Sequence, residues 1–293
     1  HNSKHTPARC LALESLLRMT GWTMTGSSQE ESTGKLPKDC GEEQADQEEE
    51  PVAKFRAIAV GAGAAMISYG AADTFAQGDS SFAEDVVDLM HSAYTSKVAI
   101  SGIASLEPHE EHTVALPSRL SKGRGPVVRM FCHSLGYFFA DVLLILFGGL
   151  SGNLPSMWAG RLIHHVIQTC ANTPCIFRTK PSEALALRSV LCIAYFAEFS
   201  NIFLRLSNLL RRRKSPPRVL QALNFALLGS FGVSRLANFF FAVRIFWQAR
   251  SHIQPQIFKM LTTIQVSGYI LNLLWFFKIA KIAIKPTVKL SIK

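Results

Sequence analysis

The chain has 293 residues, of which 48% are hydrophobic, and its mean hydropathy of +0.18 is high for a soluble enzyme. Charge divides it near residue 51, because residues 1–50 carry ten acids and five bases whereas residues 51–293 carry eleven acids and 26 bases. The basic surplus lies in short segments between apolar runs, which is typical of loops beside a membrane. It therefore does not indicate a nucleic-acid partner.

Residues 1–50 have the composition of a disordered tail. Residues 22–50 are rich in Glu, Gln, Ser and Gly, and they hold too little apolar surface to offset the entropy that ordering costs. The run RCLALESLLRM at residues 9–19 is compatible with a short amphipathic helix, although a frayed turn is the simpler interpretation. We predict a disordered acidic tail over residues 1–50 and one helical domain over residues 51–293.

Seven apolar segments follow the tail, each close to the ~20 residues that a helix needs to cross a bilayer. In chain order they cover about residues 54–76, 84–106, 131–150, 155–177, 184–210, 218–247 and 258–281. The first two are the most polar, and no alternation typical of strands persists anywhere. We predict an all-α, multipass bundle of about seven transmembrane helices. A soluble helical protein with a large core is the alternative.

Polar residues recur at helical spacing inside six of these segments. In the fifth segment four of them share one face, because they are spaced i, i+3, i+7 and i+10. A charge that faces lipid at mid-helix costs ~2.5–3.5 kcal/mol even on lenient scales, so we expect these charges to face a common interior. In chain order the sets are Asp88, His91 and Thr95; His133, Tyr137 and Asp141; Arg161, His164, His165 and Gln168; Glu198, Asn201, Arg205 and Asn208; Asn224, Arg235 and Asn238; and Gln265, Tyr269 and Asn272.

Two interpretations of these polar residues stay open. For the His164 and His165 pair with Asp141 and Glu198 we favour a functional site, because intramembrane ionisable groups mark such sites and neutral His shuttles protons near pH 7. Adjacent histidines on a helix cannot bind one metal ion unaided, so no metal site is predicted. Hydrogen bonds between helices are the favoured role for five amides: Asn201, Asn208, Asn224, Gln265 and Asn272.

Four runs occur in a fixed order: HSLGYFFADVLLIL, HHVIQT, AEFSNIFLRLSNLL and LNFALLGSFGVSRLANFFFAVRIF. Together they resemble the TLC-domain family, which includes translocating-chain-associated proteins, longevity-assurance ceramide synthases and ceroid-lipofuscinosis-type lipid proteins. The run DLMHSAYTS resembles the His-Ser motif of an early helix in that domain. The resemblance covers about residues 55–285. It is nearer to the small TLC-domain proteins, because the further His-Asp pair of ceramide synthases is missing.

The resemblance implies a multipass protein of the endoplasmic reticulum or another endomembrane, which binds, senses, traffics or modifies lipids. It matches His164 and His165 to the family's histidine pair, and Asp141 to the acid of its GYFxxD run. Glu198 and Ser200 match its E-x-S run. If the protein is a ceramide synthase-like N-acyltransferase, one histidine acts as base or acyl acceptor with acyl-CoA as co-substrate, and Asp141 orients it. No other cofactor is predicted.

Membrane lipids are the predicted partners, and the predicted lipid cavity surrounds the catalytic candidates His164, His165 and Asp141. Two further functions stay open: a non-enzymatic membrane protein with structural polar residues, and a transporter or channel, for which no inverted repeat is visible. The cavity candidates are His91, His133, Tyr137, Arg161, Gln168, Glu198, Ser200, Asn201, Arg205 and Arg235. The candidates for contact with anionic lipid headgroups are Arg211, Arg212, Arg213 and Lys214.

Overall fold

The computed structural model describes residues 41–75, 80–108, 114–117, 120, 125–150, 158–178 and 180–284, and all contacts given below lie within Glu50–Lys293. Seven helices follow one another in the described residues, so the prediction of an all-α bundle is confirmed. Their bounds are α1 Gly41–Phe75, α2 Ser80–Ala104, α3 Pro126–Leu150, α4 Trp158–Phe177, α5 Pro181–Arg212, α6 Pro217–His252 and α7 Pro255–Ile284.

The first helix begins earlier than composition indicates. α1 starts at Gly41, ten residues before the predicted boundary at residue 51. Residues 1–40 of the predicted tail, with the candidate helix at residues 9–19, lie outside the described residues. The disorder of that part therefore stays a prediction.

Proline begins four of the described helices. Pro126, Pro181, Pro217 and Pro255 are the first residues of α3, α5, α6 and α7. A proline at this position sacrifices no hydrogen bond, because the first N–H groups of a helix have no partner within it, and its fixed φ suits a helix. These residues explain why the starts of the apolar helices are sharp.

Two of the helices are interrupted close to their midpoints. α5 contains a 3₁₀ turn at Phe196–Glu198, and α6 contains a π-helical segment at Gly232–Ala237. The two interruptions contact each other. They therefore bring Glu198 and Arg235, which lie within them, into one region of the bundle. The α-helical parts on either side are Pro181–Tyr195 and Phe199–Arg212 in α5, and Pro217–Phe231 and Asn238–Gln248 in α6, which ends with a 3₁₀ turn at Ala249–His252.

Two short strands lie between α2 and α3. Glu107–Pro108 and Val114–Ala115 pair in antiparallel fashion. The backbone N–H of Leu116 donates to Ser189 Oγ of α5 at 3.0 Å, which holds this hairpin against the bundle. The sequence did not indicate the strands, because two residues are too few to show an alternation.

Five of the described helices are long and apolar enough to cross a membrane: α3, α5, α6, α7 and Pro51–Thr74 within α1. α2 and α4 have 25 and 20 residues, so their lengths suffice at ~1.5 Å per residue. Their polar and charged residues exclude them from this set. The two helices that depart from the predicted seven spans include α4, which carries the predicted histidine pair.

Burial differs widely between the apolar helices. In the most apolar window of each helix, 61% of residues are buried in α3 but only 6% in α7. Large side chains of α7, such as Leu274, Trp275 and Phe277, are exposed. Such a surface is unfavourable in water, whereas lipid chains solvate it well. The chain is therefore an integral membrane protein.

α1 crosses α3 where both helices have glycine. A Cβ atom added to Gly136 would lie 2.6 Å from the backbone N of Ala62, and one added to Gly61 would lie 2.7 Å from the Cα of His133. No side chain fits at either position. This close approach is typical of small-residue packing in membranes, and it fixes α1 against the helix that carries Asp141.

Candidate functional site

Charged side chains of α2, α3 and α4 meet around Asp141. Its Oδ1 lies 2.5 Å from Arg161 Nη2, and Arg161 Nη1 lies 2.6 Å from Glu84 Oε2. His165 Nδ1 lies 2.8 Å from the other carboxylate oxygen of Asp141. The residues Glu84, Asp141, Arg161 and His165 are called the Asp141 cluster below. It brings together two of the three predicted catalytic residues and one cavity candidate.

The two histidines of the pair have different surroundings. Adjacent helical residues point ~100° apart, so they cannot face the same group. His165 is buried against Asp141, whereas His164 is exposed. The two rings are 5.4 Å apart between centroids, and the His164 ring lies 6.4 Å from that of Phe138. His164 is therefore the more exposed member of the pair.

A second set of contacts joins α2 to α3 and α5. Tyr137 donates a hydrogen bond to Asp88, and His91 stacks on the Tyr137 ring with centroids 4.0 Å apart. Arg205 Nη2 lies 2.5 Å from Asp88 Oδ2, and its Nη1 lies 3.0 Å from Asp85 Oδ1. The cavity candidates His91, Tyr137 and Arg205 thus face the polar side of α2.

Sequence reasoning missed Glu84 and Asp85. Asp85 is buried and also contacts Asn208 at 3.1 Å and Arg212 at 3.5 Å. Both acids lie in the second turn of α2, five and six residues into the helix. Asp85 and Glu84 lie three and four residues before Asp88, which places all three on the same face of the helix. This spacing was the signal from which the two acids could have been predicted.

A third set of contacts lies half-way along the helices. Glu198 is the eighteenth of 32 residues in α5, and Arg235 is the nineteenth of 36 residues in α6. Asn201 lies between them: its Nδ2 donates to Glu198 Oε2 at 2.8 Å, and its Oδ1 accepts from Arg235 Nη2 at 2.9 Å. Ser92 donates to the same Glu198 oxygen at 3.1 Å. Glu198, Asn201 and Arg235 are called the central triad below.

Further neutral groups hold the Arg235 side chain. Its Nε donates to Ser200 Oγ at 2.9 Å, and its Nη1 donates to Asn272 Oδ1 at 3.2 Å. The guanidinium carbon lies 5.1 Å from the centre of the Phe231 ring, which adds a cation–π contact. Ser200 and Asn272 thus contact the central triad through hydrogen bonds from Arg235.

Two cavity candidates lie apart from these clusters. The His133 ring is beside that of Tyr94, with centroids 6.0 Å apart, and its backbone lies against Gly61. The described contact of Gln168 is made by its backbone carbonyl, which accepts from Asn172 at 2.7 Å. These contacts join neither His133 nor Gln168 to the Asp141 cluster or the central triad.

A small cleft opens beside the Asp141 cluster. Its wall includes residues of α1, α2, α3 and α4, and its polar side includes Asp141 and Arg161. Neither histidine of the pair lines it. The cleft therefore differs from the predicted cavity centred on both imidazoles. Its lining residues are Ala65, Tyr69, Glu84, Val87, Asp88, Tyr137, Ala140, Asp141, Leu144 and Arg161.

The site offers imidazole, carboxylate and guanidinium groups in an apolar surrounding. Imidazole transfers protons near neutral pH, and guanidinium N–H groups stabilise oxygen atoms that carry or gain negative charge. Within the part of the chain that the structure describes, no three His, Cys, Asp or Glu residues are grouped to hold a metal ion. The arrangement thus suits proton transfer and recognition of polar lipid groups.

The fold and this interior define a multipass helical membrane protein with ionisable residues inside its bundle. A family model of the TLC domain (TRAM, LAG1 and CLN8) matches residues 81–281, from the start of α2 to near the end of α7. The chain therefore belongs to the TLC-domain family. The match is to the family as a whole and does not separate small TLC-domain proteins from ceramide synthases. No curated protein and no solved structure matches the chain.

Proposed function

We propose that this protein acts in lipid homeostasis by binding the polar part of a membrane lipid beside His164. The observation that carries the proposal is the asymmetry of the histidine pair. His165 is buried with Asp141 at 2.8 Å, whereas the neighbouring His164 is exposed. A neutral imidazole both donates and accepts hydrogen bonds, so an exposed one suits hydroxyl, amide and ester groups of lipids.

Membership of the TLC-domain family supports a lipid-related role, because the family takes in proteins of lipid metabolism and trafficking. The Asp141 cluster has a positioning role in this proposal. Asp141 and Arg161 hold the His165 ring, and this fixes the rotation of α4 that presents His164. Residence in the endoplasmic reticulum or another endomembrane is part of the same proposal, and imaging of a tagged chain against organelle markers tests it.

The test compares lipid profiles of cells that lack the protein and are rescued with wild type or variants. H164A should fail to restore the wild-type profile, because it removes the group that contacts the lipid. V166A is the matched control, because Val166 is an exposed apolar residue of the same helix. Full restoration by a H164A/H165A double variant, at equal protein level, would show that the pair has no role.

A ceramide synthase-like N-acyltransferase is the second candidate, and the Asp141–His165 contact favours it. A carboxylate beside imidazole Nδ1 is the arrangement that orients a general base. In this reaction the amine nitrogen attacks the thioester carbonyl of acyl-CoA, a C–N bond forms and the C–S bond breaks. The imidazole takes the amine proton and returns it to the leaving thiolate.

Purified protein in nanodiscs, given acyl-CoA and a long-chain amine, separates the two functions. N-acyl transfer requires release of free CoA and formation of the amide. D141N should lower the rate by about a hundredfold or more if Asp141 orients the base. Lipid binding without CoA release in the wild type would favour the non-enzymatic function.

A further inference from the structure

We propose that Arg235 binds the carbonyl oxygen of a lipid acyl group beside His164. The proposal rests on the proposed function and names its ligand class: lipids with an ester or amide carbonyl, as opposed to ether lipids or acidic headgroups. Three features support this proposal: the contacts of the guanidinium, the charge balance of the central triad and the partial exposure of Arg235.

Arg235 has more hydrogen-bond donors than the described residues provide acceptors for it. A guanidinium has five N–H groups. Three of them donate to Ser200, Asn201 and Asn272, and every one of these acceptors is neutral. Two N–H groups thus have no acceptor among the described residues. A buried donor without an acceptor is unfavourable, so this guanidinium is prepared for one more oxygen.

The charges around Arg235 favour a ligand oxygen that is uncharged. Glu198 already balances the charge of Arg235, with the Asn201 amide between them. An anionic headgroup would leave one uncompensated negative charge half-way along the helices, where charge is costly. A carbonyl oxygen accepts hydrogen bonds and adds no charge. The balance therefore favours a neutral carbonyl over a carboxylate or phosphate.

The guanidinium of Arg235 is accessible to a lipid in the membrane. Arg235 is partly exposed, and so is Asn272, which accepts a hydrogen bond from it. The face of α4 that carries His164 is open as well, since His164 is exposed. A lipid in the bilayer can therefore reach the guanidinium from the side. π-helical segments within α-helices are frequent at functional sites, in agreement with this position.

Ester and ether lipids with the same chains and headgroup provide the test, because they differ in the carbonyl oxygen alone. We expect wild-type protein in nanodiscs to bind the ester lipid about tenfold more tightly, the effect of one hydrogen bond to a charged donor. R235K keeps the charge opposite Glu198 but loses the planar fork of donors. It should lose the ester preference and leave ether affinity unchanged. R250K, at the end of the same helix, is the matched control.

The outcomes separate this inference from the proposed function. Equal binding of ester and ether lipids by the wild type would overturn the inference alone, and so would an unchanged preference in R235K. Tighter binding of a fatty acid or phosphatidic acid than of the uncharged ester would overturn the charge argument. Absence of binding by any lipid would overturn the proposed function as well.

Photolabelling of the wild-type protein tests the proposal even if R235K does not fold. An acyl lipid with a photoreactive diazirine beside its carbonyl should label the segment Gly232–Ala237 or the neighbourhood of His164. A second lipid, with the diazirine at the end of the chain, should label other residues. Labelling by the first probe that is confined to the outer faces of α1 and α7 would contradict a carbonyl site at Arg235.

Discussion

The Asp141 cluster and the central triad hold buried charges in different ways. In the Asp141 cluster, Arg161 makes two direct ion pairs, at 2.5 Å to Asp141 and 2.6 Å to Glu84. In the central triad, an amide separates Glu198 from Arg235, and among the described residues no carboxylate lies within ion-pair distance of Arg235. The difference shows that one cluster pairs its charges directly, whereas the other joins them through a neutral amide.

The positions of the two clusters along the helices fit this difference. Arg161 and Glu84 are the fourth residue of α4 and the fifth of α2, close to the helix ends. The central triad lies half-way along α5 and α6. Direct pairs near an end stabilise the packing of α2, α3 and α4. A bridged pair in the centre holds its two charges further apart than a direct pair does, so the attraction between them is weaker.

Removal of Arg161 should have the largest effect on stability. R161M leaves Glu84 and Asp141 without their cation, and breaking a buried pair in this way costs about 3–5 kcal/mol. The midpoint of thermal unfolding in detergent should fall strongly. Neutralising both carboxylates in R161M/E84Q/D141N should recover part of the loss. No recovery in the triple variant would mean that Arg161 acts by packing and not by charge.

Gly136 tests whether α1 supports the Asp141 cluster. G136A places a methyl group 2.6 Å from the backbone of Ala62, which should cost about 1–3 kcal/mol and separate α1 from α3. Tyr69 of α1 borders the cleft at Asp141, so cysteine labelling in that cleft should increase. G268A is the control, because a Cβ at Gly268 of α7 meets no atom within 4 Å. Equal effects of the two substitutions would refute the close contact.

Removal of the Asn201 amide, which lies between Glu198 and Arg235, should have a somewhat smaller effect on stability. N201L removes one hydrogen bond from Glu198 and one from Arg235, and unmet buried groups cost about 1–3 kcal/mol. The effect should lie below that of R161M, as measured by thermal unfolding in the same detergent. Q265L is the matched control, because the structure describes no hydrogen bond for this α7 amide within the described residues. A larger loss in N201L than in R161M would reverse the comparison.

The helical fold could be predicted from the sequence because each helix carries its own signal. Apolar length fixed the number of helices, and the spacing of Glu198, Asn201 and Arg205 showed that they share a face. The interruptions at Phe196–Glu198 and Gly232–Ala237 could not be predicted, because hydrophobic runs continue through both. Helical geometry showed that the histidines point apart. Only the rotation of α4 against α3 decides which of them meets Asp141.

Substitutions in the basic turn between α5 and α6 should have the smallest effects. This turn connects the exposed basic surface with the contacts of Asp85. Arg211, Arg212, Arg213 and Lys214 are all exposed, but Arg212 also reaches Asp85 at 3.5 Å. A basic residue beside anionic lipid contributes about 1 kcal/mol, so R213Q should weaken binding to phosphatidylserine vesicles roughly fivefold. R212Q should do the same and also lower the thermal midpoint, because Asp85 loses a partner. Binding to uncharged vesicles is the control for both. Equal thermal midpoints for R212Q and R213Q would show that the surface charge and the interior carboxylates are independent.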